Sequence, residues 1–199
     1  VMYFGGVPWT HFAVIGGALT ALVALVLVVA PATGVPLLKG YQEERLTTFL
    51  DPGEHASGAG YQQNQSVVAI GAGELTGRGD KATQTRLDFV PERHTDFIFA
   101  VIGERYGFMG AAFVLSLYAL LFWRALRIVT LSKNSYGALV AGGIAVSLLF
   151  QTFVNVGMNL GIMPITGIPL PWMSYGGSSV LATFLAIGVL QSIIVQAHL

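Results

Sequence analysis

The sequence predicts an all-α polytopic transmembrane helix bundle, with four spans and short extracytoplasmic or re-entrant helices between them. Three observations carry that expectation. Four apolar segments approach or exceed the roughly 17–25 residues that a membrane-crossing helix needs. Charged residues make up 10% of the chain, against about a quarter in a soluble domain, while 54% are hydrophobic. The few charges are also segregated: all ten acids, from Glu43 to Glu104, lie between the first and second apolar segments.

The opening residues, VMYFGGVPW, lack the positive region and small-residue cleavage site of a signal peptide and read as the interior of a longer chain. The expected spans are His11 to Ala30, Tyr106 to Trp123, Tyr136 to Gly161 and Ser179 to Val195. Seven of the ten basic residues share the long first connection with the acids. The other three, Arg124, Arg127 and Lys133, sit without acids in the short connection after the second span. The positive-inside rule makes that short loop cytoplasmic. The long connection and the third-to-fourth connection then face outward, and both chain ends face the cytoplasm. Zero net charge and the lack of a basic patch argue against nucleic acid as a partner. With no cysteine there is neither a disulfide framework nor a thiolate metal site.

Residues 1–199 read as one membrane domain, and Pro31 to Arg105 (31–105) as a long extracytoplasmic loop carrying the reactive region. Loops beyond about 12–15 residues are functional or disordered, and apolar residues recur through this one. Within it, Gln62 to Gly73 (QQNQSVVAIGAG) predicts a short helix running into a turn. Gly71, Gly73, Gly77 and Gly79 let the backbone bend or approach a ligand closely.

The stretch Gln84 to Gly110, QTRLDFVPERHTDFIFAVIGERYGFMG, concentrates charge ahead of a short apolar run, Phe97 to Gly103. At 1.5 Å per residue that run covers roughly 10 Å, too little to cross a bilayer. It dips into the membrane or lies against it, placing Asp96 at the edge of apolar surroundings. Asp96 is then either a helix-terminus charge favoured by the macrodipole or a reactive group. His94 has no companion ligands at zinc spacing. No nucleophile elbow, phosphate-binding loop or dinucleotide fingerprint is present. Asp88 and Glu92 add carboxylates near Arg86 and Arg93. Paired carboxylates suit glycosyl chemistry, although mixed charges also make a solvated face.

The third span carries Ser147, Gln151, Asn155 and Asn159 at successive i+4 steps, hence on one helical face. Such a stripe serves interhelical hydrogen bonding or lines a polar cavity. In GIMPITGIPLPWMSYGGSS, Pro164, Pro169 and Pro171 prevent a continuous helix. Gly176 and Gly177 precede the last span. The N–H groups there favour an anion such as phosphate, or the glycines serve close helix packing.

LDFVPERHTDFIFAVIGERYGFMG closely resembles the SEDS family (shape, elongation, division and sporulation). YQEERLTTFLDP at Tyr41–Pro52, GAGYQQNQSVVAIGAGELTGRG at Gly58–Gly79 and GIPLPWMSYGGSSVL at Gly167–Leu181 match the same family in the same order. The wording PERHTDF is more like the RodA branch than the FtsW division branch, which often carries another residue where Arg93 stands. The resemblance implies a ten-helix peptidoglycan glycosyltransferase that polymerises lipid II, the undecaprenyl-diphosphate-linked disaccharide, on the outer face of the bacterial plasma membrane. This chain would be its C-terminal part. The resemblance places the essential aspartate on Asp96 and a second important acid on Asp88. With it come candidate substrate contacts at Lys81, Arg86, Glu92, Arg93, His94, Gln65, Ser66, Ser174, Tyr175, Gly176, Gly177 and Ser178. No cofactor is required by the sequence, although a divalent cation (Mg or Mn) could share the leaving-group charge. The implied partners are a class B penicillin-binding transpeptidase, other proteins of the cell-wall synthesis complex, and membrane lipid. Two departures stand out: the family's Gly-Gly-Leu is Gly73-Glu74-Leu75, and its Glu-Glu-x-Gly is Glu104-Arg105-Tyr106-Gly107. A flippase for lipid-linked precursors and a non-catalytic scaffold for a transpeptidase are the alternative readings.

The topology is directly testable, because the chain has no cysteine. In intact cells a membrane-impermeant maleimide should label Ile162→Cys and spare Asn134→Cys; the reverse pattern would invert the orientation.

Overall fold

In lipid a spanning segment must satisfy every backbone N–H and C=O internally, which leaves the helix as the solution for segments of this length. The computed structural model describes residues 8–33, 59–83 and 94–198, and these are helical without a strand. The order is α1 (Trp9–Thr33), α2 (Ala59–Ala72), a 3-10 turn (Gly79–Lys81), α3 (Ile98–Leu131), α4 (Ser135–Asn159) and α5 (Gly177–His198). Three stretches, Ile98–Leu131, Ser135–Asn159 and Gly177–Ala197, are long and apolar enough to cross a membrane. The first expected span is the helix α1, in which Thr10–Ala21 forms a shorter apolar stretch. Among the described residues, α1 makes no contact with the other helices, so the packed bundle consists of α2 to α5. Residues 34–58 and 84–93 of the loop expected over 31–105 lie outside the described residues; α2 occupies the place predicted for its short helix.

The second span departs from expectation at both ends. The apolar run after Asp96 is not a separate element. It forms the first arm of α3, joined to the long arm across a kink at Gly107 (φ 65°, ψ −164°). At the other end the helix continues past Trp123 through Arg124 and Arg127 to Leu131. The Arg127 guanidinium lies 5.7 Å from the centre of the Trp123 ring, so its apolar stem runs along the helix while the charge rests over an aromatic face.

A kink strands backbone groups that a continuous helix would pair. The segment after α2 takes them up. Phe108 N–H donates to Glu74 O (2.9 Å), Met109 N–H to Leu75 O (3.1 Å), and Arg78 N–H to Glu104 O (2.9 Å). Backbone meets backbone here. A Cβ on Gly107 would fall 2.3 Å from the Gly77 nitrogen, and one on Gly77 would fall 2.3 Å from the Arg105 oxygen. The glycines therefore serve close approach to the chain's own kink. Glu74, where the family carries a glycine, adopts the left-handed conformation with φ 48°. At the second departure, Glu104 is fully buried, whereas Arg105 turns outward and pairs with Asp80 at 3.3 Å. With side chains 50% and 93% exposed, that pair contributes little.

Helices in lipid gain nothing from leaving an apolar solvent, so close van der Waals contact decides their packing. Ala141 and Ala145 on α4 are buried against Ala125 and Val129 on α3 and Leu190 on α5. Small side chains at i and i+4 let the helix axes approach. A second cluster, Ala69, Phe97, Ala100, Met158 and Ile165, joins α2, the start of α3, the end of α4 and the segment that follows. α4 stops in a Schellman motif, with Ile162 N–H donating to Gly157 O (2.9 Å) and Gly161 N–H to Met158 O (3.2 Å). This releases the proline-rich segment, which Tyr118 of α3 holds through a hydrogen bond from its hydroxyl to Pro171 O.

Relieving the left-handed strain in Glu74→Gly should raise stability by about 1 kcal/mol. Gly107→Ala, which adds a clash to that strain, should lower it by about 2–4 kcal/mol. Thermal unfolding in detergent measures both.

Candidate active site

The turn formed by His94, Thr95, Asp96 and Phe97 runs directly into α3. Phe97 is the N-cap and makes no side-chain cap, and the first turn of α3 contains no acid. Asp96 precedes the cap by one residue and so stands immediately beside the N-terminus of α3.

Three consecutive carbonyls of this turn are held by three kinds of donor. Tyr175 N–H donates to His94 O (2.7 Å). The Ser174 hydroxyl donates to Thr95 O (2.6 Å). The side-chain amides of Asn155 and Asn159 both donate to Asp96 O, each at 3.0 Å. Ser174 in turn accepts from Leu170 N–H (2.7 Å), which closes the Leu170–Ser174 loop on itself. Asn155 also donates to Ile168 O (2.8 Å). On its other side, Asn159 Oδ1 accepts from Ala100 N–H (3.1 Å), and the Asn159 main-chain carbonyl accepts from the Ser66 hydroxyl (2.9 Å). The turn, the proline-rich segment, α2 and α4 therefore share one hydrogen-bond network, buried where the apolar elements meet.

The Asp96 side chain is partly exposed. Its Oδ2 lies 3.6 Å from where a Cβ on Gly167 would stand, so the carboxylate sits beside the bare backbone of that glycine. The next two residues, Ile168 and Pro169, line a cleft of about 270 Å³ between α4 and α5. Ser147, Gln151, Ser179 and Thr183 give it a polar wall. The polar stripe of α4 thus divides. Asn155 and Asn159 bond to neighbouring backbone, while Ser147 and Gln151 line a cavity.

Of the residues expected at the site, His94, Asp96, Ser66, Ser174 and Tyr175 come together in or next to this network. Ser66 and Ser174 are buried and use their hydroxyls on main-chain carbonyls. Tyr175 contributes its N–H and projects an exposed ring. Gly176 precedes α5, which Gly177 and Ser178 open, and among the described residues a Cβ placed on Gly177 would meet nothing within 4 Å beyond its own helix. Lys81 is exposed at the end of the 3-10 turn. Gln65 lies on α2 with its Oε1 buried and without a hydrogen-bond partner. Asp88, Glu92, Arg86 and Arg93 lie outside the described residues. Among the described residues no three His, Asp or Glu side chains converge as metal ligands.

Sequence reasoning singled out Asn155 and Asn159 as polar members of a helix but not as partners of Asp96. Their i+4 spacing was the available signal; their partner lies 59 and 63 residues away in sequence. Gln63 carried no such signal, yet its amide donates to Met163 O (2.9 Å) and ties α2 to the same segment. Ser174→Ala would leave Thr95 O and Leu170 N–H without their partner and should cost about 1–3 kcal/mol, read as a lowered unfolding temperature in detergent.

Comparison with known proteins places the chain. A family model described as "Cell cycle protein", covering FtsW, RodA and SpoVE, matches residues 1–199. The peptidoglycan glycosyltransferase MrdB of Escherichia coli K12 is 42% identical over 194 residues, which cover 97% of this chain and 50% of that protein. A probable peptidoglycan glycosyltransferase FtsW of Thiomicrospira cyclica is 37% identical, covering all of this chain and 50% of its own length. Stage V sporulation protein E of Bacillus subtilis is 40% identical over 160 residues, 80% of this chain and 44% of the relative. A solved structure described as "Structural coordination of polymerization and crosslinking by a peptidoglycan synthase complex" superposes with a TM-score of 0.73 at 36% identity, over 93% of this chain and 48% of that one. The chain spans about half the length of these relatives. It belongs to the FtsW/RodA/SpoVE family, the SEDS proteins.

Proposed function

We propose that the protein is a peptidoglycan glycosyltransferase that polymerises lipid II into glycan strands, with Asp96 as the general base. The observation that carries this reading is the Asp96 turn itself. A partly exposed carboxylate immediately precedes a helix, on a backbone fixed by four donors, beside the segment whose Ile168 and Pro169 line a cleft between membrane helices. Several membrane-spanning helices and relatives that carry the glycosyltransferase name support it.

In the proposed reaction a sugar hydroxyl of the acceptor attacks the anomeric carbon of the donor. The hydroxyl proton passes to an Asp96 carboxylate oxygen as the new C–O bond forms. The bond from the anomeric carbon to the diphosphate breaks, and undecaprenyl diphosphate leaves with the electron pair. Proton removal of this kind typically contributes about 10²–10⁴-fold in rate. Diphosphate is already a good leaving group, so no protein acid is needed at that oxygen. Its charge is met by cationic and N–H groups, for which Lys81, Arg86, Arg93 and the N–H groups of Gly177 and Ser178 at the start of α5 are the candidates. Asp88 is the candidate second carboxylate. Ser66 and Ser174 build the site through the main chain. A class B penicillin-binding protein would crosslink the product, in keeping with the synthase complex described for the structural relative. In this reading the active site faces the extracytoplasmic side, which the placement of Arg124, Arg127 and Lys133 after the second span supports.

The test assays full-length protein, with its penicillin-binding partner, on purified lipid II. Asp96→Asn is isosteric and cannot take the proton, and it should cut the rate of glycan polymerisation at least about 100-fold while partner binding survives. Polymerisation at the wild-type rate would remove Asp96 as the base and return the flippase and scaffold readings to the front.

A further inference from the structure

We propose that Asn155 and Asn159 of α4 are positioning residues for this reaction, holding the Asp96 carbonyl so that the Asp96 carboxylate stands where the acceptor hydroxyl arrives; the inference rests on the role of Asp96 as base. Two amides from successive turns of one helix donate to a single carbonyl, each at 3.0 Å, and both side chains are fully buried. A carbonyl needs one donor to be satisfied; a second from the same helix face adds directional constraint. The orientation of the Asn159 amide is fixed by its partners, because its Oδ1 accepts from the Ala100 N–H (3.1 Å) while its nitrogen also donates to Asn155 O (2.8 Å). The nitrogen must therefore be the atom facing Asp96 O. Asn155 spends the same nitrogen on Asp96 O and on Ile168 O at 2.8 Å. One side chain thereby fixes the distance between the acidic turn and the segment whose Gly167 borders the carboxylate and whose Ile168 and Pro169 line the cleft.

Packing does not account for this arrangement. Buried amides in a membrane helix are costly unless bonded, and leucine would fill a similar volume without polar atoms. The His94 and Thr95 carbonyls are anchored to the Leu170–Tyr175 loop, which is irregular backbone. The asparagines reference Asp96 to α4 as well, a second regular helix besides the α3 that the turn runs into. Displacement of a reacting group by about 1 Å can cost on the order of 100-fold in rate.

The experiment compares Asn155→Leu and Asn155→Gln in full-length protein with its partner, with Asp96→Asn beside them. Folded protein is quantified by thermal unfolding, and kcat and KM for lipid II are measured per folded molecule. Asn155→Leu should lower kcat by roughly 10–100-fold with KM little changed. Asn155→Gln, which retains an amide donor on a longer arm, should recover part of the loss. Wild-type kcat in Asn155→Leu overturns the inference. So does a loss that disappears once activity is expressed per folded molecule, or one that falls entirely on KM. If Asp96→Asn is inactive while Asn155→Leu is normal, the positioning role fails and the base stands. If Asp96→Asn is active, the base assignment fails and the positioning role goes with it.

Discussion

Three neighbouring carbonyls, those of His94, Thr95 and Asp96, must each find a donor although none lies inside a helix. Non-helical backbone beside membrane helices persists only where protein groups satisfy it, because an unpaired peptide group there costs several kcal/mol. The rest of the site follows from how that requirement is met. The Leu170–Tyr175 loop supplies a hydroxyl and an N–H, and α4 supplies two amides. The acidic turn and the proline-rich segment are thus bonded directly to each other despite the two long helices between them in sequence.

The same logic governs the kink at Gly107. A straight α3 would need no help, but the bend exposes two donors and an acceptor that the segment after α2 satisfies. The kink sets the arm Ile98–Tyr106 apart from the long arm of α3 and brings α2 against it. Ser66 and Gln63 reach α4 and the proline-rich segment from that position. The kink and the acidic turn are thus two ends of one structural device, with α2 as the strut between them. The two departures from the family pattern fall on the kink rather than on the turn. Glu74 takes its left-handed conformation just beyond α2 and Arg105 faces outward to Asp80, and neither is among the donors that hold the carbonyls of the Asp96 turn.

Catalysis by a carboxylate of this kind depends on where the group stands more than on how many groups surround it. The network fixes the main chain of Asp96 while its side chain stays partly exposed beside Gly167. The division of the α4 stripe expresses the same separation of tasks: its last two members hold backbone, and Ser147 and Gln151 face open space.

The sequence by itself determined that this chain is helical and membrane-embedded, and it located every helix of the bundle while missing both ends of the second span. Those properties depend on the apolar content of contiguous segments and on glycine and proline, which act within a few residues. It also marked Asp96, because a charge flanked by an apolar run is conspicuous along the chain. The extension of the second span back to Ile98 escaped it. That extension depends on Gly107 adopting a positive φ and on donors and acceptors supplied by residues 74–78. The pairing of Asn155 and Asn159 with the Asp96 carbonyl was equally hidden, since side-chain periodicity reports which face of a helix is polar but not what that face meets. Only the tertiary structure decided those contacts, because hydrogen bonds to main-chain carbonyls leave no trace in the identity of the residue that accepts them.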